Sequence, residues 1–564
     1  MVERWFKLIH REYKGIDEAA LLLGITTLGS QVLAIFRDRT FAHIFGPSQT
    51  LDIYNTAFRI PDIIFALVGT FISFTILIPF FIQELKKDEN QQHARKFMDS
   101  MFTVFMVAMV VLSAAAYILM PWLSRITAPG FSGPELDSLI SLSRVMLLSP
   151  LLLGLSNLLG TVTQAFKKFF VYALSPILYN IGIILGAVLL YPRIGVAGLA
   201  WGVVLGAVLH AAIQFPIIIK HGFIPRLRKI RDFAVIREVT KVSIPRTLGL
   251  SLSKITLLVL TGMATLMAEG SVSVFNFAFA LQSVPLAIIG VSYSTAAFPV
   301  LVDSFTSQNM QAFIQHVLRP ARKIIFWSLP VVVLFIVLRA QIIRVILGTG
   351  NFTWSDTRLT AAALALFVLS VLAQSLILLL VRGYYAAGKT YRPFTINLIA
   401  SVLTVIAAFL LLAAFRHIPV FQYFLESLFR IEGIAGTEII ILPLAYSLGA
   451  WCNYAILWQF FRRDLAREHA THHVGRTLRQ SMLAAVSMGF VSYQMLQVFD
   501  NIFNINTFHG IFLQGFCSGI IGILFGVALL IAMKNEETLI FAETIKKRFW
   551  KSKTLPPASE GMVQ

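Results

Sequence analysis

Charged residues set inside apolar sequence are the first feature of this chain that could do chemistry. Arg37, Asp38 and Arg39 close one long apolar run, and Asp52, Arg59 and Asp62 line the first half of the next. Arg246 and Lys254 lie in a later run of the same kind. A charge at the centre of a bilayer costs roughly 2.5–3.5 kcal/mol even on a lenient insertion scale, so such residues face a cavity or each other. Pairing is one outcome, for example Arg59 with Asp62 around a helix turn. The other is a cationic cavity for an anionic substrate, where Arg and Lys suit a phosphate or pyrophosphate head group. The runs involved would face each other across a cleft, which favours the cavity. Arg37, Asp38, Asp52, Arg59, Arg246 and Lys254 are therefore the expected binding residues. Arg144 and Arg382 stand near run ends, from which long side chains reach the interface.

Other constellations carry less. Gly383-Tyr-Tyr-Ala-Ala-Gly388-Lys389-Thr390 satisfies the phosphate-loop pattern. That loop works only between a strand and a helix, where its N–H groups encircle phosphate. Here it ends one apolar run, and Pro393 opens another, so no nucleotide site and no cofactor is expected. His469, His472 and His473 have no Cys or carboxylate to complete a metal set. Cys452 and Cys517 both lie in apolar runs and support neither a disulfide framework nor a metal site. No catalytic triad or carboxylate pair stands out, so an enzyme is not expected.

The elements that position these charges are membrane helices. Only 13% of residues are charged, against about a quarter in a soluble domain, and 57% are hydrophobic. Apolar runs of about twenty residues recur, continuous rather than alternating, which selects helices over a barrel. Runs fall near Glu18–Phe36, Leu51–Ile82, Met101–Ile126, Leu139–Gln164, Phe170–Tyr191 and Val196–Ile219. A second set lies near Val239–Met267, Val272–Val302, Ile324–Leu347, Leu359–Tyr384, Pro393–Phe415 and Ile434–Phe461, followed by Met482–Val498 and Phe508–Met533. The fold class is an all-α polytopic membrane protein with about fourteen spans.

The loops fix the orientation. Lys86, Lys87, Arg95 and Lys96, then Lys167 and Lys168, then Lys220 to Arg231, fall in alternate loops. Arg319 to Lys323, Lys389 and Arg392, Arg462 to Arg467, and the tail from Lys534 continue the series. Thr127–Leu136, Ala268–Gly270 and Phe503–Gly510 carry few or none, and 416–432 is a longer, less clean loop. An alternation kept in phase this long places both ends in the cytoplasm. The net charge of +19 then reflects topology and anionic lipid, not a nucleic-acid partner.

Two copies of one unit are also legible. Pro176-Ile-Leu-Tyr-Asn180 in span five matches Pro393-Phe-Thr-Ile-Asn397 in span eleven, and Gly195-Val-Ala-Gly198 matches Gly433-Ile-Ala-Gly436. Pro61, Gly69 and Pro79 in span two match Pro285, Gly290 and Pro299 in span eight. An even number of spans per copy makes two parallel six-helix repeats, with a substrate site between them and two extra C-terminal helices. The expected segments are 1–17 (amphipathic, basic), halves 18–235 and 236–465, the extra pair 466–533 and a basic tail 534–564.

Gly29-Ser-Gln-Val-Leu-Ala-Ile-Phe-Arg37-Asp38, Ile44-Phe-Gly46, Asp52, Ala57-Phe58-Arg59-Ile-Pro61 and Pro79 resemble the opening of the MurJ/MviN family. Thr127-Ala-Pro-Gly-Phe131, Gly270-Ser-Val-Ser273 and Gly383-Tyr-Tyr385 extend the resemblance, which runs from about 20 to 460. It implies a flippase of the multidrug/oligosaccharidyl-lipid/polysaccharide exporter group, in the bacterial cytoplasmic membrane. Its substrate would be lipid II, the polyprenyl-pyrophosphate-linked peptidoglycan precursor, moved by alternating access without ATP hydrolysis. The partners expected are this lipid-linked anionic glycan and membrane lipids, with a coupling ion left open. The family's arginines correspond here to Gln31 and Phe65, and its Asp-Arg pair to Phe279-Ala280, so Arg37 alone clearly survives. Lys254 and Arg246 could supply replacement charge. The alternatives are an exporter of another lipid-linked polysaccharide and a transport-inactive scaffold.

The topology is directly testable. A reporter active only outside the cytoplasm should be silent when fused after Lys168, Arg231 or Arg463 and active after Gly130 or Gly350. Activity after Arg231 would break the phase of the span count.

Overall fold

A computed structural model describes residues 16–69, 74–228, 252–465, 472–505 and 507–540, with Arg237 and Glu543. Every regular element among the described residues is helical. Eleven of the helices are long and apolar enough to cross a membrane. The other three expected runs fall on Ile16–Ile44, on the interrupted series Gln49–Ala57, Arg59–Gly69 and Phe74–Leu85, and on the run that contains Leu252–Ala264.

Prolines explain most interruptions. Pro61 lies in the first turn of Arg59–Gly69, where its missing N–H costs nothing. Pro150 sits just after the break between Gly133–Met146 and Leu148–Ala165 in span four. In span eight, Ser271–Pro285 passes into a wide turn at Leu286–Val291 before Ser292–Thr306. Span five widens likewise at Gly186–Leu190, just before Pro192. Such widened turns absorb a proline without ending the helix.

Several boundaries differ from the sequence expectation. Span one continues to Ile44, so Arg37–Arg39 lie within the helix, not at its end. Span nine begins at Met310, so Arg319, Arg322 and Lys323 lie within its helix and not in a loop before it. The loop expected at 416–432 holds a helix, Pro419–Phe429. It leaves Val420, Tyr423, Phe424 and Leu428 more than half exposed, the pattern of a helix lying in the interface.

The two halves repeat the same packing. Spans two, three and four pack together, four packs on six and six on five. Spans eight, nine and ten pack together, ten packs on twelve and twelve on eleven. Spans thirteen and fourteen pack on each other and onto span nine. Spans five and six approach closely. A Cβ at Gly182 would collide with the backbone of Gly206, and one at Gly186 with Gly202. Small residues let helix backbones touch in lipid, where no hydrophobic force draws helices together. This seam fixes the helix that carries Asn180.

Gly182→Leu should therefore force spans five and six apart and cost about 1–3 kcal/mol, as overpacking generally does. A melt of purified protein in detergent should show a lower transition than for the parent, while Gly475→Leu, at an open position, should not.

Candidate translocation seam

The charge-poor ends of the two halves are locked together by charges placed on helix ends. Asp52, 3% exposed, accepts from the N–H groups of Gly270 (2.8 Å) and Ser273 (2.7 Å) and from Ser273 Oγ (2.6 Å). These are the free donors at the start of span eight, so the carboxylate caps that helix and complements its dipole. Arg39 does the converse. Its Nη1 donates to the carbonyls of Val345 (2.6 Å) and Ile346 (2.9 Å) at the end of the helix Arg339–Leu347. A cation on free C-terminal carbonyls is favourable for the same reason.

Loop backbones complete the lock. Asn351 N donates to His43 O (3.1 Å) and its side-chain amide to Ile44 O (2.7 Å). Gln49 N donates to Glu269 Oε1 (2.9 Å). Gly130 N donates to Thr265 Oγ1 (3.2 Å), and a Cβ on Gly130 would strike the Thr265 carbonyl. Gly270 has φ +84° and lies against Pro47, so both its conformation and its contact require glycine.

Deeper along the same seam lie the membrane cations. Arg59 Nη2 donates to Asn276 Oδ1 of span eight (2.7 Å), and its Nε, also buried, has no partner. Lys254 of span seven meets Asp62 of span two at 3.4 Å, with side chains 44% and 40% exposed. The pairing of Arg59 with Asp62 considered from sequence is thus replaced by two bonds across the halves. An exposed pair of this kind contributes about 0–1 kcal/mol and exchanges easily.

Arg37 is held differently. Its Nε and Nη2 both donate to Asp38 Oδ1 (3.0 and 2.8 Å), and Nη1 donates to Asn180 Oδ1 (3.1 Å). The Asn180 amide in turn donates to the Pro176 carbonyl (3.0 Å), which aims its oxygen at Arg37. That is the physical content of the Pro-x-x-x-Asn motif in the first half. In the second half, Asn397 accepts from Asn453 of span twelve (3.0 Å). Arg246 lies outside the described residues, as does His469.

The seam thus brings together Arg59, Asp62 and Lys254. Asp52 is committed to the lock, and Arg37 with Asp38 is anchored to span five. Sequence reasoning named Arg39 but did not select it, and it missed Asn180, Asn276 and Thr265. The Gly270-Ser-Val-Ser273 stretch carried a signal, since a serine and a glycine beside an apolar run mark a helix start. Asn276 carried none. Arg144 stacks over Tyr117 (4.5 Å) and donates to its carbonyl (3.2 Å). In the phosphate-loop look-alike, Gly388 N and Lys389 N donate to Tyr385 O (3.1 Å) and Tyr384 O (2.9 Å). They close the end of span ten, and those two donors are not free to cradle phosphate.

Comparison with known proteins gives this arrangement a family. The family model described as "Lipid II flippase MurJ" matches residues 41–513. The chain belongs to the MurJ family. A "Probable lipid II flippase MurJ" of Buchnera aphidicola subsp. Schizaphis graminum is 27% identical over 460 residues, covering 80% of this chain and 84% of the relative. The "Lipid II flippase MurJ" of Burkholderia cenocepacia is 26% identical over 408 residues, covering 71% and 79%. A solved structure described as "Lipid II flippase MurJ, inward closed conformation" aligns with TM-score 0.70 at 22% identity, covering 94% of this chain and all of that one. An inward-facing MATE-family transporter of the MOP superfamily aligns with TM-score 0.62 at 14% identity, over 78% of this chain and 96% of that one, a likeness of fold.

Within the MurJ family this chain departs where the resemblance implies an Asp-Arg pair. Phe279 instead joins an aromatic cluster with Phe367 (5.6 Å) and Tyr446 (5.8 Å), stacked along Phe275 (6.3 Å). The position has been absorbed into the packing of spans eight, ten and twelve.

Asp52→Ala should open the lock, since it leaves buried N–H donors unpaired at about 1–3 kcal/mol each. With Cys452 and Cys517 replaced by Ser, spin labels at Ser132 and Ser355 should report one short distance in the parent and an added longer population in the variant. An unchanged distribution would assign Asp52 no part in holding the halves.

Proposed function

We propose that this chain moves lipid II across the bacterial cytoplasmic membrane by alternating access, as a transporter and not an enzyme. Its fourteen spans divide into halves near residue 235, and its basic face and both termini lie in the cytoplasm. The observation that carries the reading is the family match over 41–513, which spans both halves and the seam between them. The named relatives supply the substrate. The seam supports the mechanism, because polar, exchangeable bonds join the halves beside the apolar cluster that Leu51, Tyr54, Leu260 and Phe275 share across them.

With the charge-poor side locked, Lys254, Arg59 and Asp62 stand at the deep end of the seam. A pyrophosphate head group arriving from the basic side would meet Lys254 first as the easily released cation. Its oxygens outbid a half-exposed carboxylate, because two phosphates present more charge and more acceptors than Asp62. The Arg59 Nε–H, without a partner, is a second donor aimed at the same seam. Drawing both groups onto the substrate removes two of the bonds between the halves. Binding thereby weakens the closed state, which is the differential interaction that alternating access requires. Arg37, clamped by Asp38 and Asn180, contributes fixed positive potential. Arg246 is part of the proposed set by its place in span seven.

Rescue of a bacterium depleted of its lipid II flippase tests the reading. The parent gene should restore growth. Lys254→Ala and Arg37→Ala should each abolish or sharply reduce rescue at unchanged expression and topology, a loss of roughly 1.5–3 kcal/mol of head-group binding. Lys254→Arg should be tolerated better than Lys254→Gln. Full rescue by both alanine variants would refute the cationic seam, and no rescue by the parent would favour another lipid-linked glycan.

A further inference from the structure

The segment that leaves span six on the basic face is fastened to the start of span three. Asp99, 7% exposed, accepts from Arg226 N (2.9 Å) and pairs with Arg228 Nε (3.3 Å), while Thr103 Oγ1 accepts from Arg228 N (3.1 Å). Phe223 anchors the segment between Phe81 (5.3 Å) and Phe166 (5.7 Å), under the guanidinium of Arg95 (5.7 Å). The fastening borders a half-open cavity of about 490 Å³ whose lining includes Arg95, Lys96, Arg226, Arg228 and Asp99.

The charges in this cavity do not balance. Asp99 is its one carboxylate, and it is spent on Arg228 and a peptide N–H. Among the described residues, Arg95, Lys96 and Arg226 form no ion pair. Among the described residues these three cations have no carboxylate partner, and grouped around one cavity they favour a multivalent oxygen anion, for which guanidinium and ammonium groups are suited. The same segment turns Ile224 and Leu227 outward, 47% and 68% exposed. Apolar side chains exposed beside a basic cavity at the end of a membrane helix fit contact with acyl chains directly under the head groups.

We propose that this cavity is a binding site for the phosphate head group of an anionic phospholipid in the leaflet on the basic face. Arg95, Lys96 and Arg226 hold the phosphate, and Ile224 and Leu227 meet its chains. The site is separate from the translocation seam: it is built from span three and the end of span six, whereas Arg59 and Lys254 join spans two, seven and eight. It positions the first half against a resident lipid, not a transported one. Basic pockets at helix ends on this side of a membrane recognise acidic lipids on the same principle.

The test is native mass spectrometry of the purified full chain in detergent, with phosphatidylglycerol, phosphatidylethanolamine or inorganic phosphate added separately. The parent should retain phosphatidylglycerol at least about tenfold more tightly than phosphatidylethanolamine. The triple substitution Arg95→Gln, Lys96→Gln, Arg226→Gln should remove that preference without lowering the melting transition, and Arg95→Lys with Arg226→Lys should keep most of it. If the triple variant does not fold, Arg226→Gln alone, on an exposed side chain, should show a partial loss. Equal retention of the two lipids, or a preference untouched by these substitutions, would overturn the proposal. Displacement of phosphatidylglycerol by inorganic phosphate at matching concentration would overturn its assignment to a lipid.

Discussion

One carboxylate organises the seam. Asp52 is buried, yet its two oxygens are filled by three donors from the start of span eight. Burying a charge is expensive unless it is paired and hydrogen-bonded, and here the pairing partner is a helix terminus. Arg39 on the carbonyls ending Arg339–Leu347 is the mirror of this contact. Both link one half to the other, and both satisfy backbone groups that lipid could not. The lock is therefore strong while closed and leaves orphan polar groups when open, unless water enters. Such a joint has two states and little in between, which is what a rocking transporter needs.

Much of this architecture was legible in sequence, and the reason is the solvent. Lipid forces every span to be a long apolar helix, so length and hydropathy alone locate them. The repeat was legible because prolines and glycines impose backbone constraints that survive divergence. The motifs that carried the family resemblance mostly turn out to build the lock: Gly46, Asp52, Gly130 and Gly270–Ser273 all stand in it. At Gly46, Gly130 and Gly270 a Cβ would collide with the backbone of Asn351, Thr265 and Pro47, so only glycine permits these approaches. The partners of the charges were not legible. Arg59 meets Asn276 and Asp62 meets Lys254 across the whole first half of the chain, and no local pattern encodes which helix faces which. Pairing Arg59 with Asp62 was the local alternative, and the tertiary arrangement gives each a partner on the other half instead. The helix at Pro419–Phe429 was missed because its exposed apolar residues read as an irregular loop.

The replaced family charges follow a consistent physical logic. Where the resemblance implies a polar pair, Phe279 joins an aromatic cluster between spans eight, ten and twelve. An apolar repacking of that kind is often neutral or stabilising, since it removes the desolvation penalty of buried ions. What it takes away is local charge. The cations at the seam are Arg59 and Lys254, whose bonds cross between the halves. They stand where contact between the halves decides their partners.

The helix Pro419–Phe429 gives the second half a mechanical attachment to the bilayer. It hangs between spans eleven and twelve with its apolar side chains exposed, Val420 at 77%. Seated among head groups, it behaves as a float. Any tilt of the second half must lift it out of the leaflet or press it further in, and either motion works against lateral pressure. Were the halves to rock as proposed, the work of moving this helix through the leaflet would add to the barrier.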